Sequence, residues 1–136
     1  MVTIDWKGKM VFEATPPSGQ KIIFDPNSGE EKSQGPSPME MLLAAVGACT
    51  AMDVISILEK KRQLVTSYRI EVEGERKPPG EWPRPFDKIT LRHILVGQDL
   101  DPTAVARAIE LSDDKYCSVM ATLKRTPILV SEWVIE

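Results

Sequence analysis

Histidine is nearly missing from this chain, with one copy, and there are only two cysteines. A lone histidine and two distant thiols provide no zinc-ligand spacing, so no metal and no resident cofactor are expected. Two cysteines are also too few for a disulfide scaffold, and in a reducing compartment both rest as thiols. Excess positive charge is missing too: the formal net charge is −3, which leaves no broad basic field for nucleic acid or an anionic membrane surface. There is no Gly-rich phosphate loop, and Ser37 and Ser56 lack any triad context. The opening "MVTIDWKGKMVFE" lacks the basic-then-apolar order of a leader, and Asp53 interrupts the greasiest stretch before it can serve as a bilayer span. These absences point to a cytoplasmic protein with no nucleic-acid or membrane partner.

What is present fits one domain spanning 1–136, long enough to bury its own core. "TIDW", "KMVFEA" and "KIIF" read as strands of an antiparallel meander, separated by Gly8, "TPPSG" and "DPNSG". A polar connection from Glu30 to Pro36 leads to Ser37, where helix-start chemistry is concentrated. Ser37 is an N-cap, Pro38 occupies the first helical position, and Glu40 completes a capping box. The helix runs from 38 to about 62 and ends in "EKKRQ", whose positive charge suits a helix C-terminus. "SYRIEVEGER" and "KITLRHILVG" form two further strands around a proline-rich loop long enough to act as a flap. Asp101 and Pro102 open a short helix. Ser112 and Asp113 look like the cap of another, "DDKYCSVMATLK", with Cys117 in its first turns, and "PILVSEWVIE" closes the chain as a strand. The class is α+β. One small sheet covers a single side of the apolar helix, so a two-fold dimer with that helix near its centre is expected.

The helix "SPMEMLLAAVGACTAMDVISIL" carries Cys49 and Asp53 within an apolar run. On a helical projection Ala44, Gly47, Ala48 and Ala51 form a stripe of small side chains, and Cys49 falls roughly 120° to 140° away. It shares its arc with Leu42, Ala45, Asp53 and Ser56. Free cysteine often packs as an inert small hydrophobe, and that reading stands beside a reactive one. Apolar surroundings and a carboxylate at i+4 both disfavour a sulfur anion, so a reactive Cys49 requires a cation from elsewhere in the fold. His93, on the side of Ile89, Leu91 and Leu95, reads as a core histidine with a satisfied hydrogen bond.

The proline-led apolar helix with small residues before its cysteine, followed far downstream by "YCSVMATL", resembles the osmotically inducible protein C (OsmC) family, which includes the organic hydroperoxide resistance proteins. The resemblance covers nearly the whole chain and lies nearest the less characterised branch with "SPMEM" and "CTAMD". It implies antiparallel sheets packed around central cysteine-bearing helices in an interleaved homodimer. It also implies a thiol peroxidase: Cys49 attacks a small or organic hydroperoxide and becomes a sulfenic acid. Cys117 then resolves this to a disulfide, which an external dithiol, of lipoyl type for instance, reopens. In the peroxidases a glutamate near the helix start pairs with an arginine that holds the thiolate. Here Met39 stands at the glutamate position, Glu40 is better explained as a cap, and no arginine precedes Arg62. The early cations include Lys7, Lys9 and Lys21, of which Lys9 is taken, with Asp53, as a supporting residue. The rival expectation is a dimer of the same fold that binds a ligand or senses redox state with weak or no peroxidase activity.

Overall fold

The structure, a computed structural model, describes residues 1–26 and 32–136. The expected "DPNSG" turn and the start of the polar connection fall largely on 27–31 and lie outside the described residues. Backbone contacts divide the chain into two compact units, Met1–Ala44 and Ala45–Glu136.

In the first unit, β1 (Thr3–Trp6), β2 (Phe12–Thr15) and β3 (Ile22–Phe24) form an antiparallel meander in that order. β2 starts later than "KMVFEA" suggests because the turn consumes the residues before it. Gly8 (φ 99°) and Lys9 (φ 49°) take left-handed backbone, and the Val11 N–H donates to the Gly8 carbonyl at 3.0 Å. Phe12 pairs with Trp6 on one side and Phe24 on the other. Ile4, Met10, Phe12, Phe24, Pro26 and Pro38 line an apolar groove of about 370 Å³ on this unit.

Helix α1 (Pro38–Lys60) begins where its capping chemistry predicts. The Ser37 N–H donates to Glu40 Oε2 at 2.9 Å and the Glu40 N–H to Ser37 Oγ at 3.2 Å, the reciprocal bonds of a capping box. This accounts for Glu40 structurally. The helix ends in a Schellman motif: the Gln63 N–H donates to the Leu58 carbonyl at 2.9 Å and the Arg62 N–H to Glu59 at 3.0 Å. Arg62 sits at φ 57°, where glycine is the usual residue.

In the second unit, β4 (Leu64–Glu75) and β5 (Lys88–Gln98) pair as a long antiparallel hairpin. A bulge between Val65 and Ser67 shifts the register, and beyond it Tyr68, Ile70 and Val72 face inward while Arg69, Glu71 and Glu73 face water. Helix α2 (Pro102–Leu111) is capped by Asp101, whose carboxylate accepts from the Thr103 N–H at 2.9 Å. The core of this unit is Val54, Leu58 and Ala108, surrounded by Ile57, Val65, Tyr68, Leu95, Val105 and Ile109. At Gly47 α1 approaches the hairpin closely: a Cβ there would stand 2.8 Å from Val72 Cγ2.

Two expectations are corrected. Ser112 does not start a second helix, because α2 runs on into a π-helical turn (Ser112–Tyr116), and Cys117 then breaks the path before α3 (Ser118–Leu123). Nor does "PILVSEWVIE" form a strand: 126–136 carry no helix or strand. None of the described strands pairs with this segment, so its alternating apolar residues have no ladder to join.

Candidate functional site

The site is built where α1 meets the π turn. Thr50 and Asp53 lie nearly one helical turn apart, and both reach toward Ser112. Thr50 Oγ1 and Ser112 Oγ are 2.8 Å apart, and Ser112 Oγ donates to Asp53 Oδ2 at 3.0 Å. Serine has one hydroxyl proton. With that proton on the carboxylate, Thr50 must be the donor to Ser112, giving a directed relay from Thr50 through Ser112 to Asp53. Thr50 and Ser112 are fully buried, so this relay satisfies groups that water cannot reach.

The π turn explains how two residues five apart serve one site. In an α-helix, Ser112 and Cys117 would project about 140° apart. The wider turn, closed by the Cys117 N–H donating to the Ser112 carbonyl at 2.9 Å, stacks them more nearly on one face. Cys117 is the N-cap of α3, with φ −71° and ψ 102°, and its Sγ accepts from the Met120 N–H at 3.4 Å.

Cys49, Asp53 and Cys117 thereby converge: one donor atom from each lies within 4.8 Å of the other two. Both cysteines are free thiols, Cys49 half-buried and Cys117 buried. Burial, reinforced by the adjacent Cys49 sulfur and by the Asp53 charge, pushes the Cys117 thiol up to about 11, against the smaller opposing effect of the Met120 N–H. Cys117 therefore keeps its proton at neutral pH, while Cys49 is the sulfur with access to solvent. Among the described residues of the second unit, no lysine or arginine is hydrogen-bonded or ion-paired to Asp53 or to either sulfur. Lys9 belongs to the first unit, where its carbonyl accepts from Trp6 Nε1 at 2.9 Å.

His93 has a bonded partner of the kind its pattern suggests. Tyr68 Oη and His93 Nδ1 lie 2.7 Å apart and the rings stack with centroids 6.0 Å apart. Burial holds His93 below the ordinary imidazole range, against an opposing pull from Asp113, and burial also raises Tyr68 and Asp113. Of the site residues read from the sequence, the fold brings Cys49, Asp53 and Cys117 together. Thr50 and Ser112 escaped that reading, because a hydroxyl in a helix and one beside an aspartate look like ordinary core and cap residues. Only the crossing of the two elements gives them a joint role.

A long helix carrying one thiol, a second thiol at a helix break beside it and two antiparallel sheets define a class of α+β proteins with a paired-cysteine site. A family profile described as OsmC-like protein matches residues 29–132, and the chain belongs to the OsmC-like family. It is 44% identical over 122 residues to Protein YhfA of Escherichia coli (strain K12), covering 90% of this chain and 87% of that protein. The crystal structure of a hypothetical protein from Aquifex aeolicus VF5 superposes with a TM-score of 0.77 at 33% identity, covering 91% of this chain and 86% of that one. An OsmC-like hydroperoxide resistance protein from Jannaschia sp. CCS1 shares the fold at a TM-score of 0.61 and 16% identity, covering 98% and 91%.

Proposed function

We propose that the protein is a thiol-dependent peroxidase that reduces organic or other small hydroperoxides in oxidative-stress defence, working as a homodimer in a reducing, cytoplasmic setting. The observation that carries this reading is the sulfur pair: a half-buried Cys49 beside a buried, protonated Cys117, their donor atoms within 4.8 Å along with that of Asp53. A structure that resembles this one is named a hydroperoxide resistance protein, which agrees with the proposal.

The Cys49 thiolate attacks the terminal oxygen of the hydroperoxide. The O–O bond breaks, the alkoxide takes a proton and leaves as an alcohol, and Cys49 becomes a sulfenic acid. Cys117 then attacks the sulfenic sulfur, water leaves, and a disulfide forms. An external dithiol, of lipoyl type for instance, exchanges through a mixed disulfide and restores both thiols while being oxidised itself. Within this cycle Ser112 and Thr50 fix the Asp53 carboxylate, which keeps that negative charge in one position beside the sulfurs. The thiolate requires a positive neighbour, which we assign to Lys9 or to an arginine supplied by the assembled dimer.

Peroxide consumption with a dithiol reductant tests the cycle. Cys49→Ser abolishes turnover, whereas Cys117→Ser permits a single oxidation to a trappable sulfenic acid; undiminished turnover by Cys49→Ser sinks the mechanism. A second reading, a ligand-binding or redox-sensing dimer, is favoured by the absence of a cation bonded to the site within the second unit. Under that reading both thiols oxidise slowly, with no catalytic turnover by the wild-type chain.

A further inference from the structure

We propose that the reduced site is also a binding site for a thiophilic d10 cation, zinc(II) in the first instance, ligated by Cys49 Sγ, Cys117 Sγ and one oxygen of Asp53. Nothing in the linear sequence has ligand spacing, but the fold places these three donors within 4.8 Å of one another. Two thiolates and a carboxylate are a ligand set suited to Zn²⁺, and three protein ligands leave a fourth position for water. Tetrahedral zinc with bonds near 2.3 Å to sulfur sets S···S at about 3.8 Å, so closure of at most about 1 Å, within the range of side-chain rotation, completes the geometry.

The surroundings support the assignment independently of the donors. Metal-bound carboxylates are held by outer hydrogen bonds, and Asp53 has such support: Oδ2 accepts from Ser112, itself anchored by Thr50. That arrangement leaves carboxylate lone pairs for an ion. Cys49 and Asp53 are half-buried rather than sealed, which leaves an entry path. Ligation takes both sulfurs as thiolates, so any S–H proton displaced by the cation goes to the buffer. The ion converts a cluster of three anionic donors into a site of net charge −1.

This binding requires reduced thiols but no turnover, so it stands or falls apart from the peroxidase reading. The test uses metal-free reduced protein titrated with Zn²⁺ against a chromophoric chelator, and with Co²⁺ followed by thiolate-to-metal charge-transfer absorption. The expected result is one ion per chain, thiolate bands with Co²⁺, and protection of both cysteines from alkylation by Zn²⁺. Cys49→Ser and Cys117→Ser lose the two-thiolate spectrum, and Asp53→Asn weakens binding at least about tenfold, a loss as large as outer-shell changes bring. Circular dichroism checks that each variant is folded, and alkylation of the wild-type chain gives a readout that needs no variant. Alkylation unaffected by Zn²⁺, or cobalt binding without thiolate bands, overturns the proposal.

Discussion

At the residue scale, one hydroxyl holds the site together. Ser112 is both the acceptor for Thr50 and the donor to Asp53, so Ser112→Ala strips a buried hydroxyl and a carboxylate of their partners at once. Leaving buried polar groups unpaired costs about 1–3 kcal/mol, and that loss is expected in urea unfolding of Ser112→Ala. Thr50→Val alone is milder, since Ser112 keeps its acceptor. Cys117 adds a pH signature. Its thiol is raised from an ordinary 9.0 to about 11, so between those values an unfolded chain gives up the proton while the native chain retains it. The native state then binds more protons, and stability falls as pH rises through that window. Subtracting the unfolding free energy of Cys117→Ser from that of the wild type at pH 8 and pH 10.5 isolates this effect, and a difference that grows with pH contradicts it. Cys49, Asp53 and Cys117 were legible from residue type and family pattern. Ser112 was legible only as a cap, because its partners lie on an element distant in sequence.

At the element scale, chain-local chemistry was readable and its departures were not. The capping box at Ser37 and Glu40, the Asp101 cap of α2 and the strand alternation in β4 follow from neighbouring residues alone, and each forms as the sequence predicts. Arg62 is a local exception. It holds left-handed backbone at the end of α1, and Arg62→Gly should stabilise the protein by about 0.5–1 kcal/mol by relieving the Cβ penalty. A rise in the urea midpoint at constant slope measures it. The π turn left no sequence signal, because one added residue per turn is chosen by what the flanking residues bond across the fold. Its role predicts the effect of removing that residue. Deleting Asp114 returns the segment to α geometry, rotates Cys117 relative to Ser112 and abolishes peroxide-driven disulfide formation while leaving the helical circular dichroism near wild type. Intact disulfide formation in the deletion variant, read by mass spectrometry, contradicts this role.

At the scale of the whole molecule, the closing segment and α1 ask for a second copy. The sequence of 127–136 has the composition of a strand, yet Ile128, Leu129, Val130, Trp133, Val134 and Ile135 are all exposed, Ile128 at 92% and Trp133 at 85%. Contiguous apolar surface of this kind marks an interaction site. By length and composition α1 would also cross a membrane, but its Thr50 and Asp53 are committed to Ser112. The face carrying Ala48, Met52 and Ser56 is exposed, with Met52 at 70%. A strand-like segment without a ladder and a helix face without a cover would both be satisfied by the proposed two-fold partner. A charge set on that helix face would then be buried without a counterion. Met52→Glu, which leaves the core of Val54, Leu58 and Ala108 untouched, is expected to shift the protein from dimer to monomer in analytical ultracentrifugation. If the active cation comes from the partner, the same variant loses peroxide turnover although Cys49 and Cys117 remain side by side. A variant that stays dimeric removes α1 from the interface, and a monomeric variant with full turnover places the activating charge within a single chain.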